Sequence, residues 1–157
     1  MMEMNTYNFK NFVNVGVKIL DKNIDTTLPK YETAHSSGMD IRTVETKTIN
    51  PDETVIFRTN IAFDIPLGYD IKIYSRSGLA ARNSIFVLNA PAVIDKDYVG
   101  EIMIILHNVG KYPVIINSGD RIAQCILEQK HNMVLSTVDE LPLTERGDGG
   151  FGSTGLK

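Results

Sequence analysis

Apolar and polar residues alternate along much of this chain with a period of two, clearest over residues 13–19 and 69–74. Alternation of this kind is typical of half-buried strands. Further short apolar runs lie at residues 55–57, 61–65, 85–88, 102–106, 114–116 and 122–127, with Pro, Gly, Asn and Asp turn signals between most of them. Many short strands at this spacing predict an all-β sandwich, jelly roll or barrel. One short helix is predicted over residues 78–83.

The length of 157 residues predicts one domain, residues 1–157, with enough surface to bury a core of its own. Residues 1–12 lack a basic patch followed by an apolar segment, and we expect a loose lead-in there rather than a secretory signal. The polar stretch from residue 137 leads into a glycine-rich segment. We therefore expect residues 137–157 to form a C-terminal arm.

Net charge and cysteine content limit the partners and the cellular compartment that we expect for this protein. The net charge of −3 and the lack of a basic run argue against binding to nucleic acid. No apolar run is long enough to span a membrane. The single cysteine, Cys125, has no internal disulfide partner and lies in an apolar run, so we expect it to pack rather than react. This usage fits a reducing cytoplasm.

The chemistry of the arm is unusual for a linker. Between residues 146 and 155 an arginine, five glycines, one phenylalanine and two hydroxyl residues follow one another. Arginine suits phosphate, glycine lets backbone N–H groups approach an anion, and Phe151 offers a face on which a base can stack. The segment is therefore either a closing arm for a nucleotide or a flexible tail.

Two further segments combine small, charged and hydroxyl residues. Arg76-Ser77-Gly78 lies where a predicted strand meets the short helix, an arrangement that favours an anion; alternatively, Ser77 caps the helix. The segment from Val93 to Gly100 carries Asp95 and Tyr98 between an apolar run and a strand. Asp95 is a candidate general base, and the alternative is an ordinary hairpin turn.

Two shorter segments are also candidates. Gln124 is an amide in an apolar strand and needs hydrogen-bond partners, such as a water or a phosphate. Asp120 and Arg121, just before it, are expected to pair with each other. Asp40, after a small-residue turn, is a ligand that magnesium or its water shell accepts, although an exposed surface carboxylate is the alternative.

Taken together, these five segments resemble, in order and approximate spacing, the five motifs of the trimeric dUTP diphosphatase (dUTPase) family. The resemblance covers roughly residues 15–155. It implies a distorted jelly-roll or β-barrel subunit, a homotrimer with active sites between subunits, and Mg²⁺-dependent hydrolysis of dUTP to dUMP and pyrophosphate. That activity keeps uracil out of DNA and supplies dUMP for thymidylate synthesis.

The resemblance also implies roles for individual residues. Asp95 would activate the attacking water, Gln124 would position that water and the α-phosphate, and Asp40 would reach magnesium through water. The residues implied to bind substrate form three groups: Arg76, Ser77 and Gly78 at the phosphates; Asn89, Val93, Ile94, Tyr98 and Met103 at the uracil and deoxyribose; and Arg146, Phe151, Gly152, Ser153 and Thr154 in the closing arm.

The chain departs from the family pattern at three places. Ser75 stands where the family usually has proline, Ala92 replaces a usual glycine, and Ala90-Pro91 makes the loop after Asn89 distinctive. If residue 92 needs a positive φ, alanine would be strained there. Three alternatives to a dUTPase remain. One is a dCTP deaminase, for which Ile105 stands where a catalytic glutamate is needed. The second is a non-catalytic nucleotide sensor or protein-binding trimer on the same scaffold, and the third is a structural jelly-roll protein.

Overall fold

The computed structural model describes residues 12–150, in which the chain forms eleven short strands and one helix. The strands are β1 (Gly16–Ile19), β2 (Met39–Arg42), β3 (Lys47–Ile49), β4 (Thr54–Arg58), β5 (Ile61–Asp64), β6 (Tyr69–Tyr74), β7 (Ile85–Val87), β8 (Ala92–Ile94), β9 (Met103–Asn108), β10 (Val114–Ile116) and β11 (Arg121–Gln129). The helix α1 (Ser77–Asn83) connects β6 to β7. The all-β prediction is confirmed, and the helix begins one residue earlier than predicted.

The strands form antiparallel sheets in which neighbours in space are mostly distant in sequence. The largest sheet has the order β2-β11-β6-β8, and a three-stranded sheet has the order β4-β9-β7. Two further pairs are β1 with β5 and β3 with β10. The four-stranded sheet matters most for function because its strands carry, or lead directly into, four of the five candidate segments.

Isoleucine dominates the core. One apolar cluster joins residues from all the sheets, and most of its fully buried side chains are isoleucine, including Ile41, Ile73, Ile104 and Ile122. β-Branched side chains suit strands because they pack well on a pleated surface and have few rotamers to lose. Cys125 belongs to this cluster, and burial raises the pKa of its thiol to about 11. The prediction that Cys125 packs is confirmed.

A buried asparagine ties an N-terminal loop to the core. Asn60 is fully buried and adopts a left-handed backbone conformation with φ of 61°. Its side-chain amide donates to the Asp21 carbonyl at 2.8 Å and to Thr26 Oγ1 at 2.7 Å, while its Oδ1 accepts the Asp21 N–H at 2.9 Å. Asparagine tolerates this backbone conformation better than most residues, so a single side chain satisfies both the turn and the loop.

The chain leaves the domain after β11. Residues 131–145 are all exposed and form neither helix nor strand. Met133, Val134, Leu135, Leu141 and Leu143 are each more than four-fifths exposed. An exposed apolar series of this length is unusual on a protein surface. Over residues 12–150, the only helix is too short to cross a membrane.

Candidate active site

A bulge in β11 gathers charged side chains on one face of the four-stranded sheet. Gln124 pairs with Asp40 of β2, and Arg121 pairs with Arg42, but the register shifts by one residue between these two pairs. The extra residue lets Ile122 enter the core, where it is 1% exposed. Because one inserted residue reverses the alternation, Arg121 stays on the same face as Gln124 and Asp40.

Asp40 joins two arginines on this face. Its Oδ1 accepts a hydrogen bond from Arg76 Nε at 2.9 Å, and its Oδ2 accepts one from Arg121 Nη1 at 3.0 Å. Arg76 Nη1 also donates to the Arg121 carbonyl at 3.0 Å. The Asp40 side chain is only 14% exposed, so the alternative of an exposed surface carboxylate is wrong. These contacts fix the plane of the Arg76 guanidinium.

A polar pocket opens beside these arginines. Its volume is about 470 Å³, and it is lined by Arg42, Arg76, Arg121 and Asp120 together with residues of α1 and β10. Arg42 Nη1 donates to the Gly119 carbonyl at 2.6 Å, and Glu32 lies 3.8 Å from Arg42 and 3.5 Å from Arg121 at the rim. Three arginines around one pocket make it a candidate anion site.

The start of α1 borders the same pocket. Arg76 is the N-cap residue, with extended backbone and no side-chain cap bond, and Ser77 is the first helical residue. The alternative that Ser77 caps the helix is therefore wrong, and its side chain is exposed. A Cβ on Gly78 would meet only the Arg82 guanidinium, at 3.5 Å, so internal packing alone does not require glycine here.

Gln124 has the partners that its position demands. Its Nε2 donates to the Ser75 carbonyl at 2.9 Å. A Cβ on Gly38 would lie only 2.8 Å from Gln124 Oε1, so the glycine in this segment makes room for the amide. Arg121, in contrast, pairs with Asp40 and Glu32, while Asp120 accepts the Asn117 N–H at 2.8 Å. The predicted pairing of Asp120 with Arg121 is wrong.

Asp95 begins a turn at the end of β8. The Tyr98 N–H donates to the Asp95 carbonyl at 3.1 Å, and the Asp95 side chain is exposed. The pKa of Lys72 on β6 is raised mainly because its ammonium donates to Asp70; the Glu128 and Asp95 carboxylates act in the same direction. Asp95 therefore lies within electrostatic range of Lys72, beside the first part of β6.

The sheet separates Asp95 from the arginine pocket. Ile94 pairs with Ile71, early in β6, whereas Gln124 pairs with Tyr74 at its end. At about 3.3 Å per residue, Asp95 lies on the order of 13 Å along the sheet from the Gln124 row, with β6 in between. Such a distance exceeds hydrogen-bond reach several-fold. In a single chain the candidate residues therefore form two separate groups, one at Asp95 and one at Gln124 and the arginine pocket, which we call half-sites.

The residues predicted to bind uracil and deoxyribose lie along the chain from just after β7 to the start of β9. Val93 and Ile94 lie in β8, which is the last strand of its sheet and leaves one backbone edge unpaired by any described strand. Tyr98 OH donates to the Glu101 carbonyl at 2.9 Å, which turns its ring against Gly100. Asn89 is exposed after β7, and Met103 starts β9 with half of its surface exposed.

The departures from the family pattern cause no strain in this region. Ala92 is the first residue of β8 and is not among the residues with positive φ. The Ala90–Pro91 peptide bond is cis.

Only the first residue of the predicted arm constellation lies in the described structure. Arg146 is exposed, and its Nε donates to the Gly149 carbonyl at 2.8 Å in a local turn. Phe151, Gly152, Ser153 and Thr154 lie outside the described residues. Their predicted roles stay predictions.

A resident metal ion does not match the side chains described. Over residues 12–150, no group of three His, Cys, Asp or Glu side chains is placed to hold a metal. Both oxygens of Asp40 already accept guanidinium N–H groups. Magnesium commonly binds through substrate phosphates and retains water ligands. A contact between magnesium and Asp40 through water stays a prediction.

Comparisons with known proteins agree on one family. The dUTPase family model matches residues 25–155. The curated deoxyuridine 5'-triphosphate nucleotidohydrolase of Hydrogenobaculum sp. (strain Y04AAS1) is 44% identical over 144 residues, which cover 90% of this chain and 100% of that protein. The dUTPase of Staphylococcus bacteriophage 80alpha with dUpNHpp is 27% identical with a TM-score of 0.82, and the match covers 91% of this chain and 99% of that chain.

A more distant structure supports the fold alone. The dUTPase from phage phi11 of S. aureus, solved with a structural Mg(II) ion, is 23% identical with a TM-score of 0.74, and the match covers 82% of this chain and 99% of that chain. The shared architecture confirms the predicted distorted jelly roll.

At the position where a dCTP deaminase needs glutamate, Ile105 of β9 pairs with Ile56 of β4 and provides no acid.

Proposed function

This chain belongs to the dUTPase family, and on that premise we propose that it hydrolyses dUTP to dUMP and pyrophosphate. The observation that carries the proposal is the Arg76 guanidinium, which Asp40 and the Arg121 carbonyl hold at the wall of the arginine-lined pocket. A guanidinium held in this way loses little conformational entropy when it binds phosphate oxygens. Ser77 and Gly78 extend the same binding surface.

In the proposed reaction, a water molecule attacks the α-phosphorus of dUTP while the Asp95 carboxylate takes one of its protons. A bond forms between the water oxygen and phosphorus, and the bond to the bridging oxygen of the β-phosphate breaks. Pyrophosphate leaves with the bonding electrons. The exposed Asp95 side chain is accessible to water, as a general base must be. Because one Nε2–H of Gln124 donates to the Ser75 carbonyl, the second Nε2–H and Oε1 are left to orient the water and the α-phosphate.

Uracil recognition is proposed for the unpaired edge of β8. Successive residues of a strand direct their N–H and C=O groups to opposite edges, so one residue of the Val93–Ile94 pair presents an N–H donor and a C=O acceptor there, which suit an acceptor and the donor of a uracil ring. Cytosine carries an amino group where uracil has a carbonyl, so binding cytosine would leave buried polar groups unpaired. Asn89 and Met103 are proposed to complete the pocket wall.

Tyr98 is proposed to pack under the deoxyribose. Its phenol is anchored to the Glu101 carbonyl, so the ring does not have to be ordered when the sugar arrives. A fixed ring at this place leaves no room for a 2′-hydroxyl. The arm residues Arg146, Phe151, Gly152, Ser153 and Thr154 are proposed to close over the bound nucleotide, with Phe151 stacked on uracil.

Assembly into a homotrimer is proposed to unite the two half-sites. Asp95 lies on the order of 13 Å along the sheet from Gln124 in one chain, so catalysis that uses both requires a second copy. The exposed apolar residues between Met133 and Leu143 offer a surface that a neighbouring copy would cover. A closed ring of three copies gives three equivalent sites.

Magnesium is proposed to enter as part of the substrate, bound to the triphosphate oxygens. When bound it neutralises charge on the phosphates and on the departing pyrophosphate. The arginines of this chain would hold the remaining phosphate charge, and Asp40 would meet the ion only through water. We also propose the cellular role that follows from the activity: limiting uracil in DNA and supplying dUMP in a reducing, intracellular compartment.

The test is a substrate panel with matched variants. Purified protein is incubated with dUTP, dCTP, dTTP or UTP and Mg²⁺, and pyrophosphate and monophosphate are measured; we expect release from dUTP alone. Asp95→Asn should lower turnover by about 100-fold or more while dUTP still binds. Asp97→Asn removes a neighbouring exposed carboxylate and should leave turnover near that of the wild type. Equal hydrolysis of dCTP and dUTP, or full activity of Asp95→Asn, would refute the proposal.

A further inference from the structure

Ser75 makes two hydrogen bonds that connect the candidate catalytic amide to the three-stranded sheet. It follows β6 and precedes the N-cap of α1. Its carbonyl accepts the Gln124 Nε2–H at 2.9 Å, and its Oγ accepts the Val87 N–H at 2.9 Å. Val87 lies in β7 and is only 2% exposed, so its N–H has no access to bulk water.

From these contacts we propose that Ser75 is a positioning residue for Gln124. The bond to β7 fixes the rotation of the Ser75 peptide and therefore the direction of its carbonyl. That carbonyl takes one of the two protons on Gln124 Nε2, which distinguishes the nitrogen end of the amide from the oxygen end. The inference rests on the proposed function, because Gln124 matters to turnover only if it orients the water and the α-phosphate.

The other side of the amide is bounded by Gly38. A side chain there would meet Gln124 Oε1 at 2.8 Å and the Cys125 carbonyl at 3.3 Å. The Gln124 amide therefore lies between the Ser75 carbonyl, which accepts its hydrogen bond, and the backbone of Gly38, which has no Cβ. With these two contacts, the second Nε2 proton and Oε1 keep defined directions for the substrate, which is how a supporting residue preorganises a reacting group.

The hydroxyl of Ser75 is what this chain adds. Proline, usual at this position in the family, has a carbonyl but no side-chain acceptor for the Val87 N–H. In this chain the direction of the carbonyl thus depends on a side-chain bond that proline lacks. Ser75→Ala removes that bond and keeps the carbonyl, so it isolates the positioning effect.

The experiment compares kcat and KM for dUTP in Ser75→Ala, Ser75→Thr, Gln124→Ala and the double variant Ser75→Ala/Gln124→Ala. We expect Ser75→Ala to lower kcat by about 10-fold with KM changed less than about 2-fold, because small misplacements of a catalytic group reduce turnover. Ser75→Thr keeps the hydroxyl and should restore most of kcat. In the Gln124→Ala background, the Ser75 substitution should have no further effect on kcat.

Controls separate positioning from stability and from the proposed function. Thr54→Val removes another hydroxyl bond, to His107 Nδ1 on the other sheet, and should leave kcat unchanged. If Ser75→Ala does not fold, Ser75→Gly provides the same loss of the hydroxyl without the fixed φ that proline would add. A wild-type kcat in the variant without the hydroxyl, or an undiminished effect in the Gln124→Ala background, overturns the inference. Absence of dUTP hydrolysis by the wild type overturns the proposed function instead.

Discussion

Complementation between two inactive variants tests whether each active site takes its halves from different copies. Asp95→Asn disables the base half, and Arg76→Ala disables the phosphate half. Within one chain, Asp95 lies on the order of 13 Å along the sheet from Gln124. Arg76 follows the end of β6 at which Gln124 pairs, so it is also remote from Asp95. A working site then needs Asp95 from one copy and Arg76 from its neighbour.

The expected recovery follows from counting sites. After random mixing of the two variants in equal amounts, about one quarter of the sites receive an intact half from each copy. If each variant carries its own affinity tag, trimers that contain both variants can be isolated. Each such trimer has one intact site among its three, so we expect about one third of wild-type activity. Sites built within a single chain would recover none. The assay is dUTP turnover per mole of trimer after the variants are unfolded and refolded together.

A matched pair of variants provides the control. Arg76→Ala and Gln124→Ala both lie in the same half-site, so mixing them should give no more than the activity of the parents. Mixed trimers of Asp95→Asn and Arg76→Ala that remain as inactive as the parents would refute the division into half-sites.

Three further predictions concern single residues. Cys125, with its pKa raised to about 11 by burial, should be at least about 100-fold less reactive toward iodoacetamide at pH 8 than an unfolded thiol; rapid labelling of native protein, seen by mass spectrometry, would contradict this. Asn60→Ala removes three part-buried hydrogen bonds and leaves alanine at positive φ, so urea unfolding should show a loss of about 2–4 kcal/mol; an unchanged midpoint would be the contrary result. Asp40→Asn weakens the ion pair that orients the Arg76 guanidinium. Because water partly screens this pair, we expect KM for dUTP to rise by only about 10-fold, and a wild-type KM would count against that role.

Alternation predicted the longer strands because one face of each meets the core. β6 is the clearest case: Ile71 and Ile73 are buried, while Lys72 and Tyr74 lie on the other face. β2 and β3 were missed because they are short and polar residues interrupt them, whereas the equally short β7 and β10 are continuous apolar runs. β8 was missed because it follows a proline, which normally interrupts a strand.

The motifs indicated which residues matter but not how they are held. Arg42 and Glu32 were not predicted as parts of the site, although Arg42 lies two residues after Asp40 and therefore on the same strand face. Glu32 was not predictable because its contact with Arg121 joins two residues that are far apart in sequence and meet only in the folded chain. The position of Ser75 carried one signal, its departure from proline, but its two bonds depend on β7 and β11.

The bulge in β11 also governs how this strand can change in length. Ile122 is the extra residue opposite β2, so a deletion there would leave Arg121 and Gln124 on the same face and would remove only one core side chain. A deletion or insertion between residues 124 and 129 would instead exchange core and outer faces for one part of the strand. Evolutionary gain or loss of a residue in β11 is therefore best tolerated at position 122.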